Sequence, residues 1–288
     1  MAEATLPDVQ ELLHSRSFVE LGARERARTV LDAGSFRELV GPFERLMSPW
    51  LPRQGIVCQA DDGVVVAKGL IDGQPAVVCA IEGAFQGGSM GEVGGAKIAG
   101  ALELALEDNL SGTPTRAVLL LETGGVRLQE ANLGLAAIAE IQAAIVALRS
   151  HQPVIGVIAG SVGCFGGMSI AAGLCSQLIV TREARLGLNG PQVIEQEAGI
   201  EEYDSRDRPF IWSLTGGEQR VATGLADVFV ADDSAAVTAA IRQGFTRGVA
   251  GALRSQQAEH YLTRLADLDT RPQADAAAVR DLYAGDQP

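Results

Sequence analysis

The sequence predicts an α/β protein with parallel strands, and two stretches carry that reading. Over residues 153–173, PVIGVIAGSVGCFGGMSIAAG, an uncharged apolar run suited to a buried strand meets a glycine turn. A helix follows with Gly166-Gly167 in its first turn. From Ala117, AVLLLETGGVRLQEANLGLAAIAEIQAAI repeats the design, with Gly124-Gly125 between an apolar strand and a helix. Strands that alternate with helices pair in parallel, because each helix serves as the crossover to the next strand.

The elements follow in chain order. Residues 1 to about 50 read as helical and amphipathic through ERARTVLDAGSFREL, with a break at Gly41-Pro42. A β-rich block comes next: residues 63–70 are β-branched, Asp72-Gly73 is a hairpin turn signal, and residues 75–81 form the return strand. The glycine-dense GAFQGGSMGEVGGAK leads into a helix over about 97–108. Thr113-Pro114 then punctuates, and residues 119–122 make a buried strand. In the helix after Gly125, Leu135, Ile138, Ile141, Ile145 and Leu148 recur at spacings of three and four, which is one apolar face. Strand 154–159, helix 166–174 and strand 177–181 complete the alternation. Residues 189–210 are polar and acidic and read as an exposed excursion. Residues 235–268 are helical again, and the last dozen are expected to fray.

Composition excludes several function classes. Lys and Arg total 23 against 36 Asp and Glu, for a net charge of -13, so a duplex nucleic-acid partner is not expected. The N-terminal MAEATLPDVQELLHSRSF lacks an apolar core flanked by basic residues, so no signal peptide is read and the expected location is cytoplasmic. Residues 153–180 carry no charge, but Gly, Ser and Gln interrupt them, which suits strand–turn–helix better than a membrane span. Cys58, Cys79, Cys164 and Cys175 form no C-x-x-C pair and read as buried, reduced thiols. His14, His151 and His260 lie outside both glycine turns, so neither a Ser-His-Asp triad nor a metal site is expected. No G-x-G-x-x-G opens a helix after the first strand, which argues against a dinucleotide fold.

The chemistry is expected at the glycines. Glycine lets the backbone approach a ligand closely, and a helix N-terminus offers unpaired N–H groups with partial positive charge. Two such turns facing each other can hold one oxygen between two donors, the requirement for stabilising an oxyanion. Gly124, Gly125, Gly166 and Gly167 are therefore the candidate catalytic residues. The competing reading is that these glycines only allow close helix–strand packing. A third glycine site spans 87–97, where Gly87, Gly88, Ser89 and Met90 are candidates for framing a thioester arm; a subunit contact and a surface hairpin are the alternatives. Lys97 and Arg127 are the nearest basic residues, and Arg127 is a candidate for meeting a phosphate or carboxylate; simple solvation is the alternative. No basic cluster large enough to hold such an arm unaided is visible.

Taken in order, LDAGSFREL, GVVVAKGLIDGQPAVV, FQGGSMGEVGG, TGGVRLQEANLGL, GSVGCFGGMSIAAG and GPQVIEQEAG resemble the carboxyltransferase branch of the crotonase-like superfamily. The likeness covers about 35–232. It is nearest to the β subunits of malonate decarboxylases, through TGGVRLQEANLGLAAIAEI, whereas the β subunits of acetyl-CoA carboxylase carry an N-terminal zinc ribbon that this chain lacks. The resemblance implies a crotonase-like spiral of ββα units with flanking helices, forming one carboxyltransferase-like domain over 1–288 with helical segments at about 1–50 and 235–288. It implies decarboxylation of malonyl-S-acyl carrier protein to the acetyl thioester, at a site shared with a homologous γ subunit. The Gly124-Gly125 and Gly166-Gly167 turns would supply the oxyanion hole. The implied partners are that γ subunit, an acyl carrier protein and an acyltransferase (α) subunit. This chain would bind no cofactor itself; the carrier would deliver a phosphopantetheine-like group. The alternatives are carboxyl transfer between biotin and an acyl thioester, and a non-catalytic scaffold subunit.

Overall fold

The computed structural model describes residues 15–249, 251–269 and 275–283. Seven strands lie in one sheet in chain order: β1 (Arg37–Leu39), β2 (Val64–Ile71), β3 (Gln74–Ile81), β4 (Arg116–Leu120), β5 (Val154–Ile158), β6 (Gln177–Val180) and β7 (Val228–Phe229). The first three pair antiparallel, and β3 to β7 are parallel. Asp72 and Gly73 both take positive φ, 49° and 70°, which closes the β2–β3 hairpin with the Ile71–Gln74 pair as its last rung. The parallel register forces crossovers: α2 (Glu92–Leu110) joins β3 to β4, α3 (Asn132–Leu148) joins β4 to β5, and α4 (Gly167–Leu174) joins β5 to β6.

After each strand from β3 to β6 the chain makes a second short extended passage before its helix. These passages pair with one another: Met90 with Val126, Thr123 with Cys164, and Cys164 with Leu186, all in parallel. Each repeat is therefore strand, short strand, helix. That is the ββα unit of a crotonase-like fold, and the second ladder is where the two glycine turns sit.

Alternation decides the two faces of the sheet. Val64, Val66, Val77, Cys79 and Leu119 face α2, α3 and α4, meeting Ile98, Leu102, Ile141 and Ile145. Val65, Ala67, Val78, Val118 and Leu120 face the other way. There they pack on Ala27 and Val30 of α1 (Ala23–Val30) and on Ile241 and Phe245 of α8 (Ser234–Arg247). Between β6 and β7 lie α5 (Pro191–Ala198), α6 (Arg208–Thr215) and α7 (Gly217–Ala222); the chain continues into α9 (Ala258–Ala266) and α10 (Ala276–Tyr283).

Several expectations need correction. The helical segment placed over 1–50 reduces to α1 among the described residues; Arg37–Leu39 is instead an edge strand, paired with Val66–Lys68 of the hairpin. The polar stretch 189–210 is largely exposed, as expected, but it carries α5 and enters α6, with Tyr203 edge-on to Phe210. Of the final dozen residues, 277–283 lie in α10 with the Tyr283 side chain buried, and 284–288 lie outside the described residues. Ile138, Ile141, Ile145 and Leu148 form the buried face of α3, but Leu135 is 52% exposed. No described helix is long and apolar enough to cross a membrane. Cys79, Cys164 and Cys175 are buried and Cys58 is half-buried. Burial pushes the Cys79 and Cys175 thiols up to about 12 and raises Cys164 as well. Alkylation of the native protein with iodoacetamide at neutral pH should therefore modify Cys58 first and leave the other three unlabelled until denaturant is added, as peptide mass spectrometry would read out.

Candidate functional site

Each glycine turn starts where a parallel strand leaves the sheet at its C-terminal end. The chain runs from β4 through Thr123 into Gly124-Gly125, and from β5 through Cys164 into Gly166-Gly167. Because β4 and β5 are parallel neighbours, both turns emerge on the same edge, the usual place for a site in an α/β sheet. Two backbone hydrogen bonds stitch them together: Thr123 N–H donates to Gly163 O at 2.8 Å, and Phe165 N–H donates to Thr123 O at 3.0 Å. The turns touch. A Cβ on Gly125 would lie 3.0 Å from Phe165 O and 3.2 Å from the Gly166 Cα. Gly125 (φ 106°) and Gly166 (φ 60°) also hold left-handed backbone, which side chains resist.

The donors are not quite those read from sequence. Gly124 N–H is committed to Gly87 O (2.9 Å), Gly166 N–H to Leu188 O (2.7 Å), and Gly125 N–H to Thr123 Oγ1 (3.1 Å). In the two turns, the N–H groups without a partner among the described residues are those of Val126 and Gly167. Gly167 begins α4, so its N–H is one of the unpaired groups of a helix N-terminus. Val126 sits between two ladder bonds: Met90 N–H donates to Gly125 O (2.7 Å) and Arg127 N–H to Met90 O (2.8 Å). Backbone alternation then turns Val126 N–H away from Met90 and toward the other turn, where a Cβ on Gly166 would lie 3.7 Å from Val126 N. The two free donors are thus Val126 and Gly167, one from each turn. The missed signal was the strand alternation beyond the glycines.

Residues 87–90 form the wall of the first turn. Gly87 is exposed and Ser89 half-buried, so both remain open to a ligand. Gly88 and Met90 are buried, and their N–H groups donate to Phe85 O (2.9 Å) and Gly125 O (2.7 Å). A Cβ on Gly88 would fall 1.9 Å from Glu122 O. Arg127 is likewise buried. Its side chain is 1% exposed, and Nη1 donates to Asp62 Oδ1 (2.8 Å) and Glu130 Oε1 (2.9 Å) while Nη2 donates to Ser89 O (3.0 Å). With two carboxylates on it, the guanidinium has no charge to offer a substrate. Burial raises the Asp62 carboxyl against the pull of Arg127. Burial also opposes ionisation of Glu130, but the Ser48 hydroxyl, the Glu92 N–H and Arg127 outweigh it and hold that carboxyl low. Lys97 is buried too, donating to Asp61 O and Val64 O, and burial lowers its pKa.

The fold assembles a basic cluster that the sequence hides. A cleft of about 910 Å³ is lined by Arg182, Arg185, Arg206, Arg208 and Trp212, with Glu183 as the one carboxylate in its lining. It adjoins the second turn, since Arg185 O accepts the Cys164 N–H and the guanidinium lies 5.5 Å from the Phe165 ring and 4.5 Å from that of Trp212. Exposed apolar side chains sit on the elements bordering both turns: Leu128 is 81% exposed, Leu188 61%, Leu135 52%, Ile170 50% and Val193 47%. Single exposed leucines mean little; several around one site suit a partner surface.

Two free backbone donors on adjoining turns of a ββα repeat suit the stabilisation of an oxyanion, and comparison with known proteins identifies the family. Residues 19–245 match the carboxyl transferase domain, and the chain belongs to that family. Within the family it stands with malonate decarboxylase. It is 74% identical to a chain of a Pseudomonas malonate decarboxylase hetero-tetramer in complex with malonate, covering 96% of this chain and 100% of that one, with a TM-score of 0.93. A chain of the Pseudomonas MdcD-MdcE hetero-dimer aligns over 88% of this chain and 97% of its own, at 66% identity and a TM-score of 0.75. A malonyl-S-ACP:biotin-protein carboxyltransferase of Malonomonas rubra is 43% identical over 230 residues, 76% of this chain and 72% of that protein.

Three substitutions probe this geometry. Gly125→Ala should destabilise by about 1–3 kcal/mol and lower turnover strongly, because it combines a left-handed φ with a clash at Phe165 O. Gly124→Ala, without a left-handed φ, should be the milder change. Thermal melts and kcat of the pair test the ranking, and equal damage would contradict it. Arg127→Met should destabilise by about 3–5 kcal/mol, because it strands two buried carboxylates; a melting temperature like that of the parent would overturn the clamp.

Proposed function

We propose that this chain is the β subunit of a malonate decarboxylase, converting malonyl-S-acyl carrier protein to acetyl-S-acyl carrier protein and CO₂. The active site is shared with a homologous γ subunit, and the carrier protein and an acyltransferase (α) subunit complete the assembly. The observation that carries the chemistry is the pair of unpartnered donors, Val126 and Gly167, on turns held in contact.

When the bond between the carboxylate and the α-carbon of a malonyl thioester breaks, its electron pair becomes an enolate. The charge moves onto the thioester oxygen. Backbone N–H groups already fixed around that oxygen need not reorganise, and losing one such donor typically costs about 2.7–4 kcal/mol of transition-state stabilisation. No nucleophile from this chain is required. The enolate carbon then takes a proton from water or from the partner subunit. The thioester arm enters past Gly87 and Ser89, which stand open beside the first turn. The exposed apolar side chains around the turns suit a partner that closes the site and excludes water.

The likeness to a biotin-protein carboxyltransferase supports a second reading, in which the carboxyl group is captured by biotin rather than released. The same donor pair serves both, so the test is the fate of CO₂. The complex of this chain with its γ partner should convert malonyl carrier protein to acetyl carrier protein without biotin and in the presence of avidin. Strict dependence on biotin would defeat the decarboxylase reading. The isolated chain should be nearly inactive, and robust turnover without a partner would defeat the shared site.

A further inference from the structure

We propose that Glu122 is a positioning residue that sets the spacing between the two donor turns. The inference rests on Val126 and Gly167 forming the oxyanion site. Glu122 follows β4, two residues before Gly124, and its side chain is buried. Its Oε1 accepts the Val162 N–H at 2.7 Å, four residues before Gly166. Its Oε2 accepts from Arg26 Nη1 at 2.8 Å. One carboxylate on the first turn's strand thus grips the loop that carries the second turn.

The surroundings are built around that grip. A Cβ on Gly160 would fall 1.5 Å from Glu122 Oε2, and one on Gly83 would fall 2.5 Å from its Cγ. Glycine at both positions lets the carboxylate lie flat against the 160–163 turn, where Gly163 N–H closes back on Gly160 O at 3.2 Å. Arg26 is itself tied down. Its Nε donates to Phe18 O (3.0 Å) and its Nη2 to Val19 O (2.6 Å). The Phe18 and Val19 N–H groups in turn donate to Asp232 Oδ1 at 2.8 and 2.9 Å. The carboxylate is therefore fixed from behind by α1 and presents Oε1 to the loop.

The bonds at Thr123 join the turns at their base, and Glu122 adds a second anchor upstream. Without it the 160–165 loop keeps its bonds to Thr123 and Arg185 but loses its hold on the end of β4, and the Gly167 N–H shifts with it. Glu122 binds the loop and Arg26, and the role assigned to it acts through that loop. A misplacement of about 1 Å in a positioned group can reduce rate by about 100-fold.

Removing only one member of the pair would strand a buried charge, so the test removes both. Arg26→Met with Glu122→Gln keeps an amide oxygen for the Val162 N–H; Arg26→Met with Glu122→Met does not. Both are neutral and similar in volume. In the assembled complex, kcat with malonyl carrier protein, KM, and the infrared carbonyl stretch of bound acetyl thioester are measured. The Gln double variant should stay within about threefold of the parent in kcat. The Met double variant should lose about 10- to 100-fold in kcat at nearly constant KM, with the carbonyl stretch returning toward its solution value. Equal kcat and equal carbonyl frequency in the two would overturn the positioning role. A parent complex that does not decarboxylate would instead defeat the functional reading, and the carbonyl comparison would still judge Glu122.

Discussion

A buried guanidinium holds this structure's site together. Arg127 follows Val126 directly, and its side chain reaches back to Asp62 before β2, forward to Glu130, and across to Ser89 O. A charge removed from water is tolerable only with partners of opposite sign in good geometry. Arg127 therefore fixes three segments at once: the start of the hairpin, the wall at 87–90, and the turn that aims Val126 N–H. Glu130 extends the network by accepting the Ser48 hydroxyl and the Glu92 N–H, and so ties in the first turn of α2. The arginine acts on the oxyanion site through the backbone it immobilises.

The second turn is fixed differently. Its N–H and C=O groups are consumed by neighbours in both directions along the short ladder: Cys164 N–H by Arg185 O, Gly166 N–H by Leu188 O, and Gly163 O by Thr123 N–H. This leaves Gly167 as the first free donor, because it already belongs to a helix whose N-terminal N–H groups have no intrahelical acceptor. Glycine is required here for contact as well as for φ. Gly125 and Gly166 approach so closely that a side chain on either would separate the two donors. Close packing and the proposed oxyanion chemistry place the same constraint on this position.

Charge is distributed to match. The chain carries a net charge of -13, yet the fold gathers Arg182, Arg185, Arg206 and Arg208 around one cleft beside the second turn. Arg182 and Arg208 make no ion pair with any described residue, so the cleft keeps positive charge in an otherwise acidic molecule. The basic residues nearest the first turn, Lys97 and Arg127, are instead buried and spent on internal acceptors. Proximity in sequence to a glycine turn did not indicate which basic side chains face outward.

Much of the fold was legible in the chain. Uncharged apolar runs followed by glycine turns and helical periodicity identify β4, β5 and their helices, because a strand buried on both faces must be apolar and a crossover helix must be amphipathic. Asp72-Gly73 marks the hairpin for equally local reasons. The placement of the glycine turns was legible too, since Gly124-Gly125 and Gly166-Gly167 could be put at strand ends by pattern alone. Only the tertiary structure decided the rest. Whether an N–H is free depends on what Gly87, Leu188 and Thr123 do with their oxygens, and those partners lie far along the chain or across a turn. The burial of Arg127 depends on Asp62, 65 positions earlier, and the pairing of Glu122 with Val162 spans 40. Local sequence states which backbone groups exist and where the chain can turn. Which of them remain unpaired is settled only when distant segments are packed against them.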